Sequence, residues 1–246
     1  MKQDLKKYIN KLLDFLYPQS CMHCQEAHSG ENIFCVGCST QIIRLNGPCC
    51  FICSTPFVSF ASTSHSPSHR CDACRKAPPP FSKAITPLLY EGPLATAIRQ
   101  FKYQKKNHLA VPLARLIAHD LAHLSIDYVM PIPLSPSRLR SREFNQSLLL
   151  AQQIGRVCAV PYLIDAMIRI RETPPQVGLS RKERDQNIKG AFHVTTPNAI
   201  KARRILLIDD VYTTGATVKE GARMLMQAGA QDVVVATVAR MVLGQR

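Results

Sequence analysis

The most sharply patterned part of the chain lies toward its C-terminus. Residues 203–210 (RRILLIDD) hold a short apolar run closed by two acids, and residues 232–240 (DVVVATVAR) are apolar almost throughout. Continuous apolar runs of this kind predict strands buried on both faces, as in parallel sheets. DYVMPIP (127–133) and YLIDAMIRI (162–170) read the same way. Between these runs the period lengthens to that of a helix. Gly92-Pro93 opens one helix with Leu94, Ile98 and Phe101 on a single face. A second runs from about Pro112 to Leu124 over Leu113, Leu116, Ile117 and Leu121, and a third from about Glu143 to Val157. A fourth follows the glycine-bearing turn after Asp210 and ends near Ala228. Residues 171–190 are polar, basic and broken by Pro174-Pro175, which predicts a long loop. Strands alternating with helices indicate an α/β fold with a mostly parallel sheet flanked by helices.

The N-terminal third follows other rules. In residues 1–18 (MKQDLKKYINKLLDFLYP), Leu5, Tyr8, Leu12, Phe15 and Leu16 recur at helical spacing and predict a short amphipathic helix ending before Pro18. Ser59–Ser68 (SFASTSHSPS) predicts a loop, and Pro78-Pro79-Pro80 a semi-rigid boundary. The expected division is residues 1–80, a helix with a Cys-rich module, and residues 81–246, an α/β domain long enough for its own core.

Composition narrows the class. Apolar residues are 46% and charged residues 20%, which excludes a wholly disordered chain. No apolar run approaches the roughly 18–20 residues of a bilayer span, so no membrane span is expected. The N-terminal stretch lacks the uninterrupted apolar core of a secretory signal, and the expected compartment is the cytoplasm. The formal charge is +14. Residues 1–83 carry 9 basic and 5 acidic side chains, and residues 84–246 carry 22 and 12, so the excess is spread along the chain. Such a balance favours phosphate-bearing partners, nucleic acid or small molecules; solubility alone is the plain alternative.

Nine of the ten cysteines precede residue 75, and eight form Cys-x2-Cys pairs: Cys21/Cys24, Cys35/Cys38, Cys50/Cys53 and Cys71/Cys74. Each such turn points two sulfurs the same way, and a tetrahedral zinc takes four. The natural grouping puts Cys21, Cys24, Cys35 and Cys38 on one Zn2+ and Cys50, Cys53, Cys71 and Cys74 on a second. A crossed grouping stays open, as do Cys49, His23 and His69 as substitutes, and redox thiols or an iron–sulfur centre as alternatives. Four-thiolate sites are closed, so the expected role is structural, each contributing roughly 10–16 kcal/mol to a loop-rich segment with little core. Eight thiolates (−8) and two Zn2+ (+4) lower the formal +14 to +10, which leaves the phosphate argument intact. Cys158, alone in the second part, is expected to be a core residue.

The segment ILLIDDVYTTGAT, Ile205 to Thr217, concentrates the chemistry. A buried strand delivers Asp209 and Asp210 at its C-terminal end, and a helix opens after Gly215. Amides at a helix start bind phosphate with the help of the helix dipole. Thr213, Thr214 and Thr217 add hydroxyl donors, and Gly215 permits a tight turn. Two adjacent acids beside a phosphate repel unless a diol or a metal lies between them, and a ribose offers that diol. A Walker-type loop is disfavoured because its GK[ST] ending is absent. An ordinary strand–turn–helix remains the plain alternative.

This segment resembles, over all thirteen positions, the phosphoribosyl pyrophosphate (PRPP) motif of type I phosphoribosyltransferases. More of the chain resembles the ComF proteins, also called GntX-like or amidophosphoribosyltransferase-like, which join a double zinc ribbon to such a domain. The matching pieces are CMHC, CVGC, CFICSTP and CDAC; FKYQKK (101–106); DYVMPIPLSPSRLRSREFNQS (127–147); KGAFHV (189–194); and ILLIDDVYTTGAT. Two departures stand out: Ser54 where a glycine is usual after the sixth knuckle cysteine, and Glu143 where Arg-Gly-Phe-Asn is usual. The resemblance assigns Asp209, Asp210, Tyr212, Thr213, Thr214, Gly215, Ala216 and Thr217 to PRPP, the two acids also being the catalytic candidates. It assigns Ser135, Arg138, Arg140 and Arg142 to pyrophosphate, and Arg181, Lys182 and Arg184, with Asn187, to a loop that closes over the ligand. Lys102, Lys105 and Lys106 are candidate phosphate or nucleic-acid contacts, or bare surface charge.

The resemblance further implies Mg2+ with PRPP, and a role in natural transformation with incoming single-stranded DNA and competence-machinery proteins as partners. Tyr103 and Phe144 are the weak candidates for base stacking. No segment identifies a site for a nucleophile; the zinc module, directly before the core, is the candidate hood, provided it lies near Gly215. A metabolic phosphoribosyltransferase acting on a small base or amine, and a sensor that binds PRPP without chemistry, are the competing readings.

Overall fold

The computed structural model describes residues 19–28, 32–57, 68–173 and 180–242. The helix expected over residues 1–18, nearly all of the 59–68 loop, and residues 174–179 of the 171–190 loop lie outside the described residues. From the N-terminus, β1 (Gln19–Ser20) and β2 (Ala27–His28) form an antiparallel pair, followed by the short α1 (Val36–Ser39) and α2 (Asp72–Lys76). Next come β3 (Lys83–Ile85), β4 (Leu88–Leu89), α3 (Gly92–Tyr103) and α4 (Ala110–Leu121). Then follow β5 (Tyr128–Pro131), α5 (Pro136–Arg142), α6 (Gln146–Cys158), β6 (Met167–Arg169), α7 (Arg181–Ile188) and β7 (Phe192–Val194). The chain closes with α8 (Pro197–Ile200), β8 (Arg204–Tyr212), α9 (Ala216–Gln227) and β9 (Asp232–Arg240).

The main sheet runs β3–β9–β8–β5, with β4 also on β9, and every pairing is parallel. Its centre is β8, whose side chains alternate between two cores, as a strand's period of two requires. Leu206 and Ile208 face Ile98, Leu113 and Leu150 of α3, α4 and α6. Ile205 and Leu207 face Phe192 of β7 and Val218 and Leu225 of α9. Each such buried side chain contributes roughly 1.5–3 kcal/mol over leaving it in water.

Three expectations change. The helix expected over 143–157 is α6 with a later start, because Glu143 turns left-handed at φ +67° and ends a separate short helix, α5. α6 begins at Gln146, where the Asn145 side chain accepts the amides of Ser147 and Leu148. The run 162–170 is shared between two sheets: Leu163 N donates to Val129 O beside β5, then the chain leaves and only Met167–Arg169 pairs, antiparallel, with β7. The expected 171–190 loop contains α7, which has no apolar stripe but carries a capping box: Ser180 Oγ accepts from Glu183 N, and Glu183 accepts from Ser180 N.

The Cys-rich part is stitched to the edge of the sheet. Leu45 N donates to Pro87 O, Leu89 N to Ile43 O and Ala84 N to Ile52 O, extending the ladder beyond β3 and β4. Cys21, Phe34 and Cys38 then join the core of α3 and α4, whereas Cys50, Ile52, Cys53 and Cys74 join the core of α9. No helix among the described residues is long and apolar enough to cross a membrane.

Candidate functional site

The sulfurs settle the order of grouping. Cys21, Cys24, Cys35 and Cys38 form one quartet and Cys50, Cys53, Cys71 and Cys74 the other, all sulfurs of a quartet lying within 4.8 Å of one another. A tetrahedral zinc with Zn–S of about 2.3 Å requires sulfurs about 3.8 Å apart. Cys24 and Cys35 are 3.7 Å apart, as are Cys53 and Cys71, so both quartets fit a structural Zn2+. The substitutes do not enter: His23 Nδ1 contacts Thr96 Oγ1, His69 packs edge-on to Phe57, and Cys49 is exposed outside both quartets. Cys158 is half-buried beside the first core, and burial pushes its thiol pKa up.

At the C-terminal end of β8, Asp209 Oδ1 accepts from Ser147 Oγ at 3.0 Å and from Asp210 N at 2.9 Å. Asp210 Oδ1 pairs with Lys102 Nζ at 2.7 Å, the side chains being only 10% and 18% exposed. Burial, then the Asp210 charge, push Asp209 up to about 6. Burial pulls Lys102 down, but the Asp210 carboxylate outweighs it and the net shift is upward. The second oxygens of both acids accept no hydrogen bond among the described residues. Both residues line a cavity of about 700 Å³.

The turn that follows is set by two contacts. Tyr212 is buried beneath the guanidinium of Arg240, 4.5 Å from its ring centroid. Gly215 adopts φ +77°, and a Cβ there would stand 2.3 Å from Tyr212 Oη, so neither the backbone nor the space admits a side chain. Thr214 Oγ1 accepts from Ala216 N at 3.4 Å, at the start of α9. Thr213 and Thr217 line the cavity.

The other walls of the cavity are cationic: Lys105, Arg138, Arg142, Arg169 and Arg184. Arg169 is 6% exposed and donates from Nε to Arg171 O and from Nη2 to Thr173 Oγ1; Arg138 Nη2 donates to Thr173 O. Burial and then the neighbouring Arg138 pull Arg169 down to about 10. Paired guanidiniums in a partly dry wall are relieved by an oxyanion, which they bind bidentately. Arg142 stacks 5.1 Å over the exposed Tyr103 and donates to Gln146. The second stacking candidate, Phe144, packs on buried Phe101.

The other expected pyrophosphate residues lie elsewhere. Ser135 is fully buried, with its hydroxyl 3.2 Å from Ser137 Oγ, and Arg140 is exposed outside the cavity lining. Arg184 reaches the cavity from α7, with Asn187 one turn on; the side chains of Arg181 and Lys182 lie outside what is described. The far end of α7 is fixed, because Ile188 is buried and Gly190 N donates to Glu220 Oε1, which also binds Arg223.

Sequence reasoning missed Ser147, Arg169 and Glu172 and left Lys102 undecided. Lys102 lies four residues after buried Ile98, a spacing that points it inward. Arg169 lies two after buried Met167 on the same strand face. Glu172 accepts from Ser137 N and Oγ at the start of α5, and those bonds hold its carboxyl down at about 2.

On the far side of the turn 213–215, a second cavity of about 660 Å³ separates Thr213 and Thr214 from the second zinc quartet. Arg240 spans its back: Nη1 donates to Cys53 O and Nη2 to Thr55 Oγ1. The second ribbon therefore abuts the turn that Gly215 opens.

Residues 12–75 match the double zinc ribbon domain family. Competence protein F of Haemophilus influenzae is 33% identical over 229 residues, spanning 89% of this chain and 96% of that protein. The chain belongs to the ComF family. DNA utilization protein YhgH of Escherichia coli K12 is 34% identical over 208 residues, 82% of this ComF chain and 87% of that protein. Among solved structures, glutamine PRPP amidotransferase from B. subtilis aligns with 21% identity over 56% of this chain and 26% of that one, with a TM-score of 0.37. Both departures of this chain from the ComF glycines fall on left-handed backbone, Ser54 at φ +56° and Glu143 at φ +67°. Ser54 Oγ donates to Ala84 O, and Glu143 pairs with Lys105. The glycine usual at these two places therefore serves the turn.

Proposed function

We propose that this chain binds PRPP in the 700 Å³ cavity and, like relatives named for competence and DNA utilization, serves the handling of single-stranded DNA in transformation. The separation of charge within one cavity carries the reading. Two acids that can accept a diol stand at the end of β8, a turn with helical amides lies beside them, and a guanidinium wall faces both.

Asp209 and Asp210 accept the ribose hydroxyls through their unused oxygens. The turn 213–217 holds the 5′-phosphate, and Arg138, Arg142, Arg169 and Arg184 hold the pyrophosphate. Hard oxygen donors suit Mg2+, and the acids beside a pyrophosphate position are such a set; the ion would neutralise leaving-group charge there. Lys102 orients Asp210 through their ion pair, and Ser147 orients Asp209 by donating to its Oδ1. Any transfer at this site would rest on positioning and charge stabilisation.

Calorimetric titration of the zinc-loaded chain with PRPP and Mg2+ tests the binding. Asp209→Asn is expected to weaken it at least about tenfold, the loss of charged hydrogen bonds to a diol. Pyrophosphate release that depends on an added base or amine would make the protein a transferase; saturable binding without release makes it a sensor or a DNA-handling module. For the strand, the log–log slope of affinity against salt is expected near −0.7 per phosphate held, and a flat response contradicts electrostatic binding.

A further inference from the structure

The 660 Å³ cavity between the second zinc quartet and the turn 213–217 lies beyond the residues given to ribose and pyrophosphate, and its lining is specific. Phe57 and His69 stand on its ribbon side, rings edge to face at 5.0 Å and both partly exposed. Tyr212 and Met241 close the opposite side. Arg70, Arg75 and Lys219 also line it, and Asp72, the acid in the lining, is already paired with Arg75. Arg240 lies buried at the back, its Nη atoms committed to Cys53 O and Thr55 Oγ1 and its Nε without a hydrogen-bond partner. Against these four cations stand Asp72 and the −2 of a zinc tetrathiolate, so the lining stays net positive.

Aromatic edges flanked by guanidinium and ammonium groups suit a flat π system that carries an anion. An inorganic anion would leave Phe57 and Met241 wet, and a purely apolar ligand would strip water from Arg70 and Lys219 without repayment. The volume falls within the roughly 300–1,000 Å³ of small-molecule sites. Thr213 and Met241 line both cavities, so the two share a wall.

We propose that this cleft binds a nucleotide unit, its base against Phe57 and His69 and its phosphate toward Arg70 and Lys219. The same chemistry is offered by a free nucleotide and by a residue of a single strand; only the second source rests on the DNA reading given above. A nucleotide held here lies against Thr213, which also lines the phosphoribosyl cavity.

The test uses the zinc-loaded full chain. Fluorescence anisotropy follows a labelled oligothymidylate, dTMP binding is titrated separately, and both are repeated for Phe57→Ala and Arg70→Gln. Loss of one stacked base predicts roughly tenfold weaker binding for Phe57→Ala. Arg70→Gln is expected to reduce the salt slope by about 0.7. Zinc content and PRPP affinity are read as folding controls, and Arg70→Gln, at an exposed position, keeps the test valid should Phe57→Ala misfold. Oligothymidylate binding that is equal in wild type and both variants overturns the site and leaves the strand reading standing. Binding of dTMP that both variants weaken, with no oligothymidylate binding, sustains the site and overturns the strand reading. Absence of both ligands overturns both. A photoreactive thymidine analogue in the strand is expected to crosslink within residues 51–57 or 68–75; adducts confined to α3 and α5 count against the cleft.

Discussion

Lys102 sets the charge balance at the head of the sheet. Without it, Asp210 would lose its ion pair and the two acids would hold like charge at one strand end with less to offset it. Asp209, raised from 3.8 to about 6, is an acid whose ionised form the fold disfavours, so its contribution to stability falls as pH rises between those values. Ligand binding runs the other way. Ribose hydroxyls donate to an ionised carboxylate, so affinity for PRPP is expected to rise as pH climbs through about 6 and to level off above. Lys102→Met is expected to move that rise to higher pH, and Lys102→Arg to restore it. The ligand's own phosphates titrate alike in all three proteins, so the displacement between curves is the reading; superimposable curves would remove Lys102 from the site. Glu143 offers a second test at this scale. Its left-handed backbone costs about 1 kcal/mol, and its exposed pairing with Lys105 contributes about 0–1 kcal/mol. Glu143→Gly is therefore expected to leave urea stability unchanged or slightly raised, and a loss of about 2 kcal/mol or more would show that the acid has a further structural role.

Among the elements, α5 joins the two binding walls. Its first turn is held by Glu172, whose carboxylate sits on Ser137 N and Oγ. The same negative charge lies near the guanidiniums that face the cavity, and it competes with an incoming anion for them. Glu172→Gln keeps an acceptor and removes the charge, so affinity for Mg2+-pyrophosphate is expected to rise about threefold or more, read by calorimetry. A fall would show that the carboxylate shapes the turn for its ligand. The elements also differ in how far the sequence announces them. β5, β8 and β9 are readable because a strand covered on both faces must be apolar at every position. The cap of α7 is readable in Ser180-x-x-Glu183, but its polar surface hides the helix from any search for periodicity. The inward aim of Lys102 and Arg169 follows from helix and strand spacing. Glu172 was not readable, because its partner lies 35 residues away and no local pattern records such a contact.

At the scale of the molecule, the zinc-bearing segment is not a bead on a string. Its two quartets sit on opposite faces of the sheet edge and contribute to two different cores. Arg240 ties the second quartet's backbone to the Tyr212 ring beside the turn that Gly215 opens. Knuckle spacing showed the zinc sites, but the sharing of cores depends on residues far apart in the chain and had no signature in it. Zinc is thus expected to stabilise the sheet as well as the ribbons. Chelation is expected to lower one cooperative thermal transition, followed by circular dichroism, rather than remove a small separate one. An unchanged sheet transition after chelation would show that the two parts fold independently.

In the function proposed for this chain, the acids of β8 and the turn beyond them grip a phosphoribosyl group. Calorimetric titration of the zinc-loaded chain with Mg2+-PRPP, alongside Asp210→Asn, tests it most directly. Saturable one-to-one binding is expected, weakened at least about tenfold by the substitution; no saturable heat from the wild-type protein, or equal binding by the variant, would overturn the assignment.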